Sequence, residues 1–460
     1  MGLGSVRWFA ALALLSIVGC QSEADSPEGA EAEGRAGIGS GGSDAANLPP
    51  GAAGGPAPVS AGSTAPAPVA DAGAQPSPTP ADPPDAGGSD DPAADSGAVD
   101  DDTVPIFVAQ GHVGRTLMSC DDGLTWVADR AFDVEGDPYV CDVAEAVTCW
   151  QDGLGCQYLA DGMCETATDS CDCDHHPGAG TGLAYGNGWF TATWGWGPKG
   201  SVRRSQDGVS WQVVLDDTTF GGLAFGQDRF VLGARQPRVS SDDAASFEDG
   251  GPADLQAPGG TTIWNVRALG FAPTMGGRFV LAGQDGDSRD VLVSADGAES
   301  FTRPTTLPPE CAAGPLGVVG SDDAIVIAHG SGLVCWSHDG GATFATSDAG
   351  GALESRPVWA GDRFLVWGPG RMYSSPDGET WSATPTVPGD LNLGAVAYNP
   401  ETGTLVAVRG GWQVWYDQQR FYRSSDGVTW STLDAADAPG GHPLRFMVFG
   451  YGKKSAVCGQ

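Results

Sequence analysis

Residues 424–430 read Ser424-Ser-Asp426-Gly427-Val-Thr429-Trp430, and this short pattern occurs seven times along the 460-residue chain. Each copy contains a serine, an aspartate two residues later, a small residue, a serine or threonine, and a final tryptophan or phenylalanine. The copies occupy residues 119–126, 205–211, 240–247, 294–301, 337–344, 375–381 and 424–430. Repetition of one segment in this way indicates a fold that is assembled from repeated structural units.

The composition of each copy is that of a tight turn. The short aspartate side chain can accept hydrogen bonds from backbone N–H groups of its own turn, and glycine can adopt a positive φ there. Three copies are one residue shorter than the others, and two have Ala244 or Ala298 where glycine is usual. The alternative is that the aspartates bind a ligand, but we interpret them as structural.

Apolar segments typical of β-strands surround each copy. Two such segments precede it, for example 182–185 and 189–193, a third runs into the turn and a fourth leaves it. Four antiparallel strands repeated seven times predict an all-β fold, a seven-bladed β-propeller. The first copy has only one clear strand pair before it, whereas the chain ends with strand-like segments at 444–448 and 455–458 that lack a copy. We therefore expect the C-terminus to complete the first blade and close the ring.

The repeated turn resembles the Asp-box (BNR) repeat of sialidases and related propellers. This resemblance implies a sialidase-like scaffold, and we refer to each copy as a box. Sialidase activity itself is disfavoured, because the Arg-Ile-Pro element of that family's first blade is missing and its three-arginine carboxylate clamp is not identified in the sequence.

The N-terminus has the features of an export signal. Arg7 precedes an apolar run at 8–18, which is too short to span a bilayer as a mature helix but has the length of a signal-peptide core. The run ends in Gly19-Cys20 and resembles a bacterial lipobox, which implies that residues 1–19 are removed and that Cys20 is acylated. An ordinary signal peptide with an incidental cysteine is the alternative. Gln21 stands where an aspartate would favour inner-membrane retention, so we expect an extracytoplasmic protein anchored in the outer membrane.

Residues 20–103 are expected to be a disordered tether. They consist mainly of Gly, Ala, Pro, Ser and Asp, and no aromatic residue occurs between Phe9 and Phe107. Such a segment cannot bury enough apolar surface to offset the entropy lost on ordering. The formal net charge of the chain is −35, which disfavours binding to nucleic acid and is also common in plainly soluble proteins. Residues 104–460 remain for the propeller, which we expect to be a monomer.

Ten cysteines remain after Cys20, and an even number in a secreted chain indicates disulfides. Cys311 and Cys335 would pair within the fifth blade, and Cys120 with Cys458 as a clasp that closes the ring. The other six lie in a polar insertion at about 131–178 and could form three bridges with 15 possible connectivities: Cys141, Cys149, Cys156, Cys164, Cys171 and Cys173. A metal site at 171–176 is the alternative, but we expect no metal and no other cofactor.

A ligand site is predicted on the face of the propeller opposite the boxes. If the box joins the third and fourth strands of a blade, the connections between second and third strands and between blades lie on the other face. The connections there contain Arg235 and Arg238, and the ligand-binding candidates are His112, Asp174, Trp194, Trp196, Lys199, His329, Arg371, Trp412, Trp415 and Arg420. Aromatic side chains of this kind suit stacking against sugar rings. The alternative is that the tryptophans pack the insertion onto the ring.

Two classes of function fit this sequence, in addition to a scaffold role without a small ligand. The first is a binding module for a glycan or a protein at the cell surface. The second is a carbohydrate-active enzyme, either a polysaccharide lyase or a glycosidase, with His175, His176 and Tyr416 as candidate catalytic residues. A lyase needs a base and an acid within hydrogen-bond reach of its substrate. The fold does not choose between these functions.

Replacement of Cys20 tests the membrane anchor. We expect the Cys20→Ser protein to appear in the soluble fraction, because several acyl chains contribute about 0.8 kcal/mol per buried methylene and the variant cannot receive them. Fractionation followed by immunoblotting measures the distribution, with Cys120→Ser as a cysteine control that should stay with the membrane. Membrane association of the Cys20→Ser protein would contradict the prediction.

Overall fold

The computed structural model describes residues 102–111, 114–130, 157–160, 163–166, 179–195, 200–216, 220–256, 260, 262–263, 265–285, 287–409, 420–433 and 444–458. For residues 157–160, 163–166 and 179 it describes the backbone only. Within these ranges no helix is long and apolar enough to cross a membrane.

Within the described ranges, twenty-nine strands form seven antiparallel blades and one separate hairpin. Blade 1 contains β1 (Thr103–Gly111), β2 (Thr116–Ser119), β3 (Val127–Arg130) and β29 (Leu444–Lys453); the hairpin contains β4 (Gln157–Ala160) and β5 (Met163–Thr166); blade 2 contains β6 (Ala179–Gly186), β7 (Trp189–Gly195), β8 (Ser201–Ser205) and β9 (Gln212–Leu215). Blade 3 contains β10 (Leu223–Gly226), β11 (Arg229–Leu232), β12 (Arg238–Ser240) and β13 (Glu248–Asp249); blade 4 contains β14 (Val266–Ala272), β15 (Arg278–Asp285) and β16 (Ser288–Ser294). Blade 5 contains β17 (Pro315–Gly320), β18 (Ile325–His329), β19 (Leu333–Ser337) and β20 (Ala345–Asp348); blade 6 contains β21 (Val358–Trp359), β22 (Phe364–Gly368), β23 (Arg371–Ser375) and β24 (Ser382–Pro385); blade 7 contains β25 (Leu393–Tyr398), β26 (Leu405–Arg409), β27 (Phe421–Ser424) and β28 (Ser431–Thr432).

The predicted seven-bladed propeller is confirmed. The first strands of successive blades contact one another all the way around the ring, in the order β29, β6, β10, β14, β17, β21, β25 and back to β29. Every blade has four strands except blade 4, whose fourth strand is reduced to a single antiparallel bridge between Val293 and Thr302. These seven first strands therefore line the central channel that a propeller encloses.

The C-terminus closes the ring in blade 1, as predicted. Strand β29 pairs with β1 along its whole length, from Thr103 opposite Lys453 to Gly111 opposite Leu444. The predicted second C-terminal strand at 455–458 was wrong, because residues Ala456–Cys458 form a single 3-10 turn. That turn brings Cys458 to Cys120, and the two form a disulfide with a Cα–Cα distance of 5.8 Å. The structure also contains the disulfide between Cys311 and Cys335.

Close approach of neighbouring blades explains a glycine that recurs near the end of the first strand. A Cβ atom on Gly186 would lie 2.2 Å from the Phe225 ring of the next blade, and one on Gly226 would lie 2.3 Å from the Phe271 ring. Each aromatic ring therefore occupies the space that a side chain on the preceding blade would need. Packing of this density tolerates little change in volume.

Each box satisfies its own polar groups. In the first box Asp121 Oδ1 accepts hydrogen bonds from the Ser119 hydroxyl and from the Thr125 N–H, both at 2.8 Å, and Asp121 Oδ2 accepts one from the Thr125 hydroxyl at 2.7 Å. The shorter boxes reach the same result differently, since Asp207 Oδ1 accepts from the N–H groups of both Val209 and Ser210. The box aspartates are thus engaged by their own turns.

Each box also accepts a hydrogen bond from the preceding blade. Going around the ring, the donors and the box carbonyl oxygens are Lys453 N to Gln206, Arg204 Nη1 to Asp243, Arg229 Nη1 to Gly297, Arg278 Nε to Gly340, His338 Nε2 to Asp377, Trp367 Nε1 to Gly427 and Arg423 Nε to Asp122. The last junction, between blades 7 and 1, is reinforced because the Asp122 carboxylate accepts further hydrogen bonds from Asn399, Thr404 and Arg423. The boxes therefore join the blades as well as turning the chain.

The ring-closing disulfide should stabilise the protein more than the disulfide within blade 5. It joins residues 338 positions apart, whereas Cys311 and Cys335 are 24 apart. The chain-entropy model gives about 3 kcal/mol for a short loop and about 5 kcal/mol for a very long one. We expect Cys120→Ala/Cys458→Ala to lower the free energy of unfolding by more than Cys311→Ala/Cys335→Ala, measured by denaturant unfolding. Equal losses would contradict this.

Acid should destabilise the propeller through its boxes. Burial alone would raise the pKa of Asp242, but hydrogen bonds from Ser246 and Ser240 outweigh it and lower the pKa to about 2. The pKa of Asp296 and that of Asp339 are also lowered, against the effect of burial, by hydrogen bonds within their boxes. Because the pKa of an unfolded aspartate is about 3.9, this stabilisation is complete above about pH 4 and is lost as the pH falls toward 2.

We therefore expect Tm, measured by circular dichroism, to fall steeply between pH 4 and pH 2. Asp242→Asn should lower Tm at pH 7 by a few degrees, because it weakens hydrogen bonds that contribute about 1 kcal/mol each. Its Tm should also fall less between pH 4 and pH 2 than that of the wild type. Asp322→Asn, at an exposed position outside the boxes, should keep the Tm of the wild type at pH 7. If the Tm of Asp242→Asn falls between pH 4 and pH 2 as much as that of the wild type, the box aspartates are not the cause of the acid sensitivity.

Candidate functional site

The two faces of the ring differ in their connections. The boxes join the third and fourth strands of each blade, so they lie on one face together with the turns between first and second strands. The connections between second and third strands and those between blades lie on the opposite face, which we call the loop face. This arrangement is the one the sequence predicts.

Many of the predicted site residues lie outside the described residues. They are His112, Asp174, His175, His176, Trp196, Lys199, Trp412, Trp415 and Tyr416. Cys20 and most of the cysteine-rich insertion lie outside them as well, although Cys164 is part of the backbone of β5. The remaining candidates, Trp194, His329, Arg371 and Arg420, are described.

Trp194 is a buried strand residue and not an exposed loop residue. Strand β7 continues to Gly195, two residues beyond the predicted end, and pairs Trp194 with Ser201. The indole N–H donates a hydrogen bond of 2.8 Å to the carbonyl of Gly111 in blade 1. The ring is fully buried and meets Trp211 edge-on at a centroid distance of 6.4 Å. Its apolar surface and its one donor are therefore used to join blades 1 and 2.

His329 is also buried. It is the last residue of β18 and is only 2% exposed. Its Nδ1 lies 2.9 Å from the carbonyl oxygen of Ala313, which can only accept, so Nδ1 carries the hydrogen. Burial lowers the pKa of His329, so the imidazole is neutral at pH 7. This side chain is not presented to solvent on the loop face.

The predicted arginines are more accessible. Arg371 begins β23 and Arg420 precedes β27, and both are exposed at the loop face. Arg238 forms an exposed ion pair with Asp249 at 3.0 Å, and such surface pairs contribute little to stability. These arginines belong to blades 6, 7 and 3, so they are distributed around the loop face.

Two other arginines, which the sequence did not single out, lie near each other, because Arg356 packs on the residue that follows Arg445. Arg445 is the second residue of β29, and Arg356 lies two residues before β21. The Arg356 guanidinium carbon lies 4.1 Å from the centroid of the Phe446 ring, and the Arg356 N–H donates to the carbonyl of Gly394 at 3.3 Å. Because first strands begin at the loop face, these contacts place both arginines at the loop-face end of the central channel. We call this place the channel mouth.

The charges at the channel mouth are close together. Burial and the positive charge of Arg445 lower the pKa of Arg356 to about 9, and burial also lowers the pKa of Arg445. Arg356 is nevertheless partly exposed and Arg445 exposed to solvent. In the part of the chain that the structure describes, no carboxylate forms a salt bridge with Arg356.

A recurring β-bulge explains why Arg445 is exposed. Gly111 pairs with Leu444 and Gln110 pairs with Phe446, so Arg445 is skipped and stands exposed between two buried residues. Arg267 in β14 is skipped in the same way and is also exposed between buried neighbours. Thr181 in β6 and Leu316 in β17 occupy the equivalent position in their blades. Bulges commonly re-aim a side chain at a functional site.

Two unsatisfied polar atoms lie near Arg356. Glu354 Oε2 and Asn392 Oδ1 are buried and have no hydrogen-bond partner among the described residues. Each belongs to a residue two positions from the hydrogen bond between Arg356 and Gly394, and burial raises the pKa of Glu354. Buried acceptors without partners are uncommon in folded proteins and call for a donor.

The chain was compared with known proteins. No protein-family model and no curated protein matches it. Among solved structures, YCF48 from Cyanidioschyzon merolae is 12% identical, with 75% of this chain and 94% of that chain covered and a TM-score of 0.38. A structure of YCF48 bound to D1 peptide is 13% identical, with 60% of this chain and 93% of that chain covered and a TM-score of 0.41. AztD from Citrobacter koseri is 10% identical, with 77% and 100% covered and a TM-score of 0.41. Similarity this low carries no information about what the present protein binds.

Proposed function

We propose that this protein is a lipid-anchored, extracytoplasmic binding module of the Asp-box type, held at the bacterial outer membrane by acylated Cys20 and a tether at 21–103. Its loop face binds an anionic ligand at the cell surface, a glycan in preference to a protein. The observation that carries the proposal is the Arg356 guanidinium at the channel mouth, which packs on the Phe446 ring beside Arg445.

The electrostatics favour an anion at this place. Two guanidinium groups in a partly desolvated channel repel each other, and an anion between them removes that repulsion. Guanidinium groups also donate to carboxylate, sulfate or phosphate oxygens in a fork geometry, and such charge-assisted hydrogen bonds are strong. The chain as a whole carries a net charge of −35 and repels anions, so an anionic ligand needs a local concentration of positive charge.

The opposite face offers less to a ligand. Its box aspartates are engaged by the hydroxyl and N–H groups of their own turns, and one carbonyl of each box accepts a hydrogen bond from the preceding blade. The loop face carries the long and irregular connections, where binding residues are usually found on rigid scaffolds. The alternative function, a polysaccharide lyase or a glycosidase, depends on His175, His176 and Tyr416, which lie outside the described residues.

A glycan screen followed by mutation tests the proposal. The mature Cys20→Ser chain is applied to an array of neutral and acidic glycans and surface peptides, and a reducing-end assay on the same compounds detects cleavage. Among the anionic compounds that bind, Arg356→Ala should weaken affinity at least tenfold by calorimetry, because a charged hydrogen bond contributes about 1.5–3 kcal/mol.

Arg363→Ala is the matched control, because Arg363 is an exposed arginine on the box face that pairs with Asp362. It should bind like the wild type and keep the wild-type Tm, and circular dichroism should show that Arg356→Ala is folded. Wild-type affinity in Arg356→Ala, or binding of neutral compounds only, would overturn the proposal. Cleavage of a bound glycan would instead establish the enzymatic alternative.

A further inference from the structure

The channel mouth contains a third arginine on the far side of the ring. Arg267 occupies the same bulge in blade 4 that Arg445 occupies in blade 1, and both are exposed between buried neighbours. First strands contact one another in order around the ring, so blades 1 and 4 are three steps apart in one direction and four in the other. Arg267 and Arg445 therefore stand on nearly opposite sides of the channel at the same level.

From this placement we infer that the ligand carries more than one anionic group, one held by Arg356 with Arg445 and another reached by Arg267. This inference rests on the proposed function and specifies its ligand. Guanidinium groups on nearly opposite sides of the ring suit two separate anionic groups better than a single carboxylate or sulfate. A linear ligand with repeated anionic groups, laid across the mouth, can do so.

The unsatisfied acceptors indicate which kind of polyanion this is. Glu354 Oε2 and Asn392 Oδ1, near Arg356, need hydrogen-bond donors. An acidic oligosaccharide has hydroxyl groups beside its anionic groups and can supply these donors. An ionised acidic peptide has only acceptors on its side chains and one backbone N–H donor per residue, so it supplies fewer donors than the sugar. The ligand class is therefore an acidic oligosaccharide, with carboxylate or sulfate as the shared anionic chemistry.

The inference is tested by varying the number of anionic groups on the ligand. The mature Cys20→Ser chain and its Arg267→Ala and Arg356→Ala variants are titrated by calorimetry with galacturonic acid, tetragalacturonate, a sulfated tetrasaccharide and tetraglutamate. We expect the wild type to bind at least one of the two acidic tetrasaccharides at least tenfold more tightly than galacturonic acid. Arg267→Ala should remove most of this gain and leave the affinity for galacturonic acid unchanged, whereas Arg356→Ala should weaken both. The preferred tetrasaccharide identifies the anionic group as carboxylate or sulfate.

Each other outcome overturns a different statement. If Arg356→Ala weakens binding but Arg267→Ala does not affect either tetrasaccharide, the proposed function stands and the inference fails. If neither variant changes binding, or none of the four compounds binds, both fail. If tetraglutamate binds as tightly as the better tetrasaccharide, the ligand is an acidic peptide and the assignment to a sugar is wrong. Arg363→Ala again serves as the control and should match the wild type in every titration.

Discussion

Seven backbone carbonyl groups, one in each box, link the blades by accepting a hydrogen bond from the blade before. The donors differ widely, from a backbone N–H at Lys453 to an indole at Trp367 and a guanidinium at Arg423. In five boxes the acceptor is the carbonyl of the fourth residue, whereas blade 2 uses that of Gln206 and blade 6 that of Asp377. The aspartate and the hydroxyl groups fix the turn, so that one of its carbonyl groups faces the preceding blade in every case. A rigid turn allows the neighbouring blade to vary its donor without changing the spacing between blades.

The same constraint divides the ring into two chemically different faces. Polar groups on the box face are largely engaged within the boxes or between blades, so substitutions there affect stability first. On the loop face the connections differ in length from blade to blade, and the bulges at Arg267 and Arg445 turn charged side chains toward the inner edge of the ring. The scaffold is thus separated from the surface on which a binding site can vary.

The architecture could be predicted from the sequence and much of the site could not. The boxes predict seven blades because the hydrogen bonds of each box form between residues that are close in sequence. The C-terminal strands without a box predict how the ring closes. The arginines of the channel mouth could not be predicted, because each lies in or next to an apolar first strand. In such a strand a charged residue looks like an ordinary solvent-facing position of an alternating pattern. Only the register shows that Arg445 is skipped. The predicted exposed position of Trp194 was wrong, because a Trp-Gly-Trp sequence is typical of a loop. In the structure the strand continues through Trp194, and its indole joins two blades.

The position of β29 also has a consequence for the order in which the chain can fold. Strand β1 and its partner β29 are separated by almost the whole propeller, from Thr103 to Lys453, so the first blade lacks its innermost strand until β29 can pair with it. During that time the edge of β1 is unpaired, and an unpaired edge is where strands of other molecules attach. Contacts this distant in sequence also form slowly. Until β29 has paired, such a chain is prone to aggregate with other molecules, so its folding should depend on chaperones more than its final stability would suggest.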